Sequence, residues 1–165
     1  MRHYLNNLVG IRPRNQLYIS ALLPPIAHEL TAGEAAGTAV VAADYTAGAA
    51  NAAIAAANRG DVMAKTAAIF RAIDMALKVA RATRMVEAIA TAEGVHNIVH
   101  ARITASEVER HVHNHNVMLD EILAMSPEQT AREVVKLAMS TLDASRQARL
   151  LANRIEEARM ARERL

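Results

Sequence analysis

The chain has 165 residues, a formal net charge of +2 at pH 7 and no Cys, and aromatic residues make up only 2% of it. The length suits one domain. The missing Cys excludes disulfides and cysteine-based metal sites, and the modest charge excludes a histone-like polycation. Ala dominates residues 33–57 and buries little area per residue, so we expect neighbouring subunits to contribute to stability.

The first 30 residues differ in composition from the rest. They hold most of the prolines and a group of arginines: Pro13, Pro24, Pro25, Arg2, Arg12 and Arg14. Because Pro fixes φ and favours extended geometry in the residue before it, we expect residues 1–30 to form an extended basic arm. A secretory signal is the alternative for the mostly apolar residues 17–27, but the paired prolines interrupt the expected pattern.

Helix signals begin directly after this arm. Thr31 and Glu34 fit a capping box at the start of a helix over residues 32–58, and Gly60 is a plausible stop for it. Asp61 then caps a second helix that extends to about residue 92. The first helix is long enough to span a membrane, but it contains Asp44, and Ala drives insertion only weakly. A membrane partner is therefore retained only as an alternative.

Two further helices are expected in the second half of the chain. The third begins near Val95 and is interrupted near residues 104–106, where Ser106 and Glu109 fit another capping box. Ser126, with Pro127 next to it, starts a last helix that runs nearly to the end of the chain. Since no segment shows strand alternation, we predict an all-α domain over residues 31–165, with about four Ala-rich helices packed as a bundle.

The histidines raise the question of a metal site. Glu107, His111 and His115 lie four residues apart on one helix face, but zinc requires three or four converging ligands. A di-iron bundle requires two E-x-x-H motifs, and the chain has one, at residues 93–96. We expect no metal and no cofactor, with a metal-binding bundle and a pH-sensitive histidine seam as alternatives.

Motifs of nucleophilic or nucleotide chemistry are also missing. The sequence contains no G-x-S-x-G, no P-loop and no dinucleotide fingerprint, and its six glycines are too scattered to cradle a phosphate. We therefore do not expect an enzyme.

The second helix carries a row of basic residues on one broad face: Arg71, Lys78, Arg81 and Arg84. Such a row neutralises backbone phosphates without reading bases, and flexible basic arms extend such contacts. Aromatic platforms for single strands are lacking. We predict non-specific binding to double-stranded DNA through this row together with Arg2, Arg12 and Arg14. The alternative is a solvated face on which Asp74 and Lys78 pair.

The layout of the whole chain resembles that of the coat proteins of filamentous and rod-shaped archaeal viruses. The resemblance rests on the arm, with GIRPR at residues 10–14 and LLPPI at residues 22–26, followed by Ala-rich helices without Cys or Trp. It implies helical subunits, homo-oligomeric or paired with a related coat subunit, that wrap double-stranded DNA in a virion assembled in the host cytoplasm. An ejection or channel-forming virion protein of a short-tailed phage is a second expectation.

Overall fold

The computed structural model describes residues 30–165, so the predicted arm lies almost entirely outside the described residues. The described chain forms five helices and no strand: α1 (Ala32–Arg59), α2 (Val62–Ala92), α3 (Val99–Val117), α4 (Leu119–Ala124) and α5 (Pro127–Glu163). The predicted all-α bundle is confirmed, and the short α4 is an addition to the four expected helices.

The helix starts that the sequence predicts at Thr31, Asp61 and Ser126 are made by side-chain caps. Thr31 Oγ1 accepts from the Glu34 N–H at 3.0 Å, and Asp61 Oδ1 accepts from the Ala64 N–H at 3.0 Å. Ser126 and Gln129 cap each other's backbone N–H groups at 3.2 and 3.3 Å. Each cap satisfies donors that have no partner within the helix.

Glycines in the left-handed conformation end α1 and α2. Gly60 has φ 70°, and the next residue, Asp61, donates its N–H to Ala56 O at 2.9 Å. Gly94 has φ 74°, and Val95 donates its N–H to Ala90 O at 2.9 Å. These are Schellman closures, which favour glycine because it adopts positive φ without strain.

The prediction for the third helix is wrong in two respects. α3 begins at Val99 rather than near Val95, because residues 95–98 are not helical after the turn at Gly94. It also continues through residues 104–106 without interruption. Ser106 Oγ accepts from Arg84 on α2 at 2.9 Å, so the hydroxyl makes a tertiary contact in place of the predicted cap.

The four long helices form an up-down bundle in which each helix packs against the next, and α5 closes the ring against α1. α2 and α5 run parallel and also touch across the middle. Near one end, Lys65 Nζ on α2 lies 3.1 Å from Met125 O, just before α5. At the other end, Glu93 binds Arg159 of α5. The alternating up and down directions of the long helices follow from the short connections between them.

The buried side of α1 consists of small side chains. Apart from Thr46, every buried residue of α1 is Ala, and the Thr46 hydroxyl donates to Ala42 O at 2.8 Å. The larger fully buried side chains lie elsewhere: Ile69, Val79, Val86, Val108, Ile122, Val134, Leu137, Leu151 and Ile155. The alanines of α1 thus allow its backbone to approach α2 and α5 closely.

Enlarging an alanine in this contact is expected to destabilise the protein. Ala39 of α1 is fully buried, and Ala39→Leu forces extra methylenes into a packed interface, costing about 1–3 kcal/mol of unfolding free energy. Urea unfolding followed by circular dichroism measures the change. Ala47→Leu, at an exposed position of the same helix, is the control and changes it by less than about 0.5 kcal/mol. Equal stability of both variants would contradict close packing of α1.

Candidate nucleic-acid interface

Four of the seven predicted contact residues can be located. Arg2, Arg12 and Arg14 lie outside the described residues. Arg71, Lys78, Arg81 and Arg84 all lie on α2, but the structure separates Arg84 from the other three.

Arg71, Lys78 and Arg81, which we call the α2 basic row, lie along the outer side of α2. Arg81 is exposed, and Arg71 and Lys78 are half-buried. Among residues 30–165, none of the three makes a hydrogen bond or an ion pair. Ten residues of helix separate the ends of the row, a distance of about 15 Å. These charged groups remain available to a partner.

Asp74 interrupts the α2 basic row. Its Oδ2 is buried without a hydrogen-bond partner, and burial raises the pKa of its carboxyl against the lowering effect of Lys78 and Arg81. Burial likewise lowers the pKa of Lys78, with Asp74 opposing it. No hydrogen bond or ion pair joins Asp74 to Lys78, so the i,i+4 pair of the alternative interpretation does not form, although the two charges influence one another.

Arg84 is committed to contacts within the bundle. Its guanidinium donates to Glu87 at 3.0 Å, to Ser106 at 2.9 Å and to Glu109 at 2.6 Å. Glu87 also accepts from Arg102 of α3 at 2.8 Å. Burial raises the pKa of Glu87, but the hydrogen bonds from Arg102 and Arg84 outweigh it and lower the pKa. Arg84 thus joins α2 to α3, and its predicted contact with phosphate stays a prediction.

A cleft of about 300 Å³ lies between α3 and α5. It is lined by Thr104, Glu107, His111, Lys136, Met139, Ser140 and Asp143. Glu107 accepts from Arg110 at 2.6 Å, and His111 Nε2 is 3.9 Å from the same carboxylate. The predicted ladder of Glu107, His111 and His115 therefore lies at the contact between two helices. No group of three or more potential ligands within residues 30–165 could hold a metal ion.

Two polar contacts at the ends of the bundle were missed by sequence reasoning. Lys65 is 5% exposed, and its ammonium donates to Leu123 O at 3.2 Å and Met125 O at 3.1 Å. Glu93, at the end of α2, accepts from Arg159 in a two-pronged contact and from Arg162 at 2.9 Å. The partners are 58 to 69 residues apart, and no local pattern in the sequence indicates them.

Comparisons with known proteins identify no relative: no family model, curated protein or solved structure matches the chain. None of the helices in the described part of the chain has an apolar stretch long enough to cross a bilayer.

Replacing Asp74 is expected to stabilise the protein in a pH-dependent way. The pKa of Asp74 is higher in the folded protein than in the unfolded chain. The contribution of this carboxyl to folding stability is therefore complete below the unfolded pKa and is lost as the pH rises through the folded pKa. At pH 7 the buried carboxylate therefore costs free energy, and Asp74→Asn raises the unfolding free energy by on the order of 1 kcal/mol.

The gain from Asp74→Asn shrinks as the pH falls through the raised folded pKa of Asp74 towards its ordinary value of 3.8, because the carboxyl then becomes protonated in the folded protein and no longer buries a charge. Urea unfolding at pH 7 and at about pH 4.5 measures it. Asp143→Asn, at an exposed position, is the control. A gain that does not depend on pH would show that ionisation of Asp74 is not its source.

Proposed function

We propose that this protein is a structural virion subunit that self-assembles and packs around double-stranded DNA through contacts between basic side chains and phosphates, without sequence specificity. The observation that carries the proposal is the α2 basic row, whose three cations form no hydrogen bond or ion pair among residues 30–165. The role is structural rather than catalytic, and the subunits assemble in the host cytoplasm with copies of themselves or with a related coat subunit.

The geometry of the α2 basic row suits a phosphate backbone better than base edges. The row is about 15 Å long, and DNA presents a phosphate about every 3.4 Å along each strand, so the row can lie against several phosphates. Arginine forks match phosphate geometry with two parallel hydrogen bonds. Contacts of this kind supply affinity and position but carry no sequence information.

The outer side of α1 supports self-assembly. Val41 and Tyr45 are 54% and 62% exposed, and the neighbouring Gly48 and Ala52 are exposed as well. Small side chains allow another helix to approach, and the two larger ones supply apolar area for the contact. We assign this side of α1 to the contact with another copy or with a related coat subunit.

Removing the α2 basic row is expected to weaken DNA binding for all sequences alike. In Arg71→Ala, Lys78→Ala and Arg81→Ala combined, the slope of log affinity against log salt falls by about one for each lost phosphate contact. Fluorescence anisotropy with duplexes of unrelated sequence, over a salt series, measures both quantities.

The matched control removes the same number of charges elsewhere. Arg132→Ala, Arg146→Ala and Arg164→Ala combined change exposed residues of α5 and the chain end and lower the net charge equally. We expect its salt slope to stay close to that of the unaltered protein. If both triple variants lose the same slope, only net charge matters and the α2 basic row is not the interface.

Placing a charge on α1 is expected to prevent assembly. Tyr45→Glu puts a carboxylate into the proposed subunit contact, where its desolvation opposes association. Negative-stain electron microscopy with duplex DNA, followed by nuclease digestion, is expected to show filaments and protected DNA for the unaltered protein and neither for the variant. Met63→Glu, at a residue of α2 that is 82% exposed, is the control. Rings or short tubes without protected DNA would instead favour the channel-forming virion protein.

A further inference from the structure

The outer side of α5 carries a regular row of side chains that the described bundle leaves uncovered. We call this row the α5 outer seam, and its members recur at spacings of four, three, four, three and four residues: Leu142, Arg146, Arg149, Asn153, Glu156 and Met160. Leu142 is half-buried, and the other five are exposed. The buried residues of α5, such as Ala144 and Leu151, lie on the opposite side of the helix. The spacing of the seam is that of the contact positions between two helices of a coiled coil.

The charges of the α5 outer seam are not used within the described bundle. Among residues 30–165, Arg146, Arg149 and Glu156 form no hydrogen bond or ion pair. Glu156 acts on Arg159 through its charge, but Arg159 binds Glu93. The two arginines precede the glutamate along the helix. A seam with this order of charges is complementary to a copy of itself when the copy runs in the opposite direction.

We propose that the α5 outer seam is the contact between two copies of this chain, with their α5 helices antiparallel and related by a two-fold axis. In the register centred on Leu151, every seam residue meets a complementary residue of the other copy: Leu142 with Met160, Arg146 with Glu156, and Arg149 with Asn153. Each pair occurs twice, as two-fold symmetry requires. The contact therefore consists of apolar pairs at its ends and of ion pairs and hydrogen-bonded pairs between them.

The charges exclude the competing arrangements. A parallel pairing sets Arg146 against the same residue of the other copy, and likewise Glu156 against its own equivalent. An antiparallel register shifted by seven residues sets Arg146 against Arg149, and the opposite shift sets Arg149 against Met160. In each of these arrangements a charge loses water without gaining an opposite charge, which costs free energy. The register centred on Leu151 avoids this cost.

Exposed apolar side chains add area to the contact. Leu150 is 50% exposed and lies beside the two-fold axis, so its two copies approach one another. On the same edge, Asp143 of one copy comes towards Glu157 of the other, but both carboxylates are exposed and salt screens their repulsion. The seam is about 27 Å long. Since a contact of this length is small, we expect a dissociation constant in the micromolar range.

The dimer leaves the α2 basic row uncovered. α2 and α5 each pack between α1 and α3, so their outer sides face opposite directions. The two α2 basic rows of the dimer therefore lie on its opposite outer sides, and the loss of Arg146 alters neither row. This inference does not rest on the proposed binding of DNA or on the proposed contact through α1.

Reversal of charge on each side of the seam tests the proposal in the absence of DNA. Arg146→Glu and Glu156→Arg are prepared separately, each together with Tyr45→Glu so that α1 does not contribute to association. Alone, each variant sets like charges against one another, and we expect its dimer dissociation constant to rise at least about tenfold above that of the Tyr45→Glu protein. Mixed in equal amounts, the two variants bring opposite charges together at both positions, and we expect the dimer to return.

Sedimentation equilibrium over about 5 to 500 µM protein, a range that suits a small interface, measures the dissociation constants. Arg132→Glu, at an exposed position of α5 before the seam, is the matched control and is expected to dimerise normally. A monomer at every concentration, as would result if residues 1–29 covered the seam, would overturn the proposal. So would a mixture that associates no better than its two components.

Introduced cysteines test the direction of the helices and do not depend on the charge variants. The chain has no Cys of its own. Leu142→Cys mixed with Met160→Cys is expected to form a disulfide between copies under mild oxidation. Either variant alone is expected to form none, because the two copies of one position lie about 27 Å apart in the antiparallel pair. Efficient crosslinking of either variant with itself, without crosslinking in the mixture, would show parallel helices and overturn the proposal.

Discussion

The close contact of α1 with α2 and α5 is the constraint on which the rest of the bundle depends. Because the buried side of α1 is made of Ala with a single Thr, the helix backbones can approach more closely than larger side chains would allow. A methyl group buries little area, so the contact of α1 with α2 and α5 is stabilised by close packing rather than by large side chains. The larger apolar residues of α2 and α5, such as Val79 and Leu151, supply the remaining buried area.

The arginines discussed above fall into two groups, according to whether a carboxylate of another helix lies within hydrogen-bond distance. Arg84 and Arg159 meet Glu109 and Glu93 and hold helices together. Arg71 and Arg81 form no hydrogen bond or ion pair with a carboxylate among the described residues, although the charge of Arg81 acts on Asp74. A count of arginines therefore overstates the charge that a nucleic acid would meet, because part of it is neutralised within the bundle.

The sequence predicted the features of the fold that are encoded locally. The caps at Thr31, Asp61 and Ser126 were predictable because each joins residues three apart, and the small-residue face of α1 follows from helical spacing. The roles of Arg84 and Lys65 were not predictable, since their partners lie 22 to 60 residues away. Ser106 shows the same limit, because its hydroxyl was taken by a distant guanidinium rather than by its own helix start. In the candidate interface, periodicity placed the α2 basic row on one face but gave no sign that Arg84 was already engaged.

α1 and α3 are attached to the bundle by different kinds of interaction. α1 is held by apolar contact that neither protons nor salt alter directly. α3 buries only five residues, one of them His115, and is tied to its neighbours by Arg84, Arg102 and the imidazole of His115. Exposed ion pairs are weak and are screened by salt. Salt therefore weakens the ion pairs that attach α3, while the alanine contact maintains the arrangement of α1, α2 and α5.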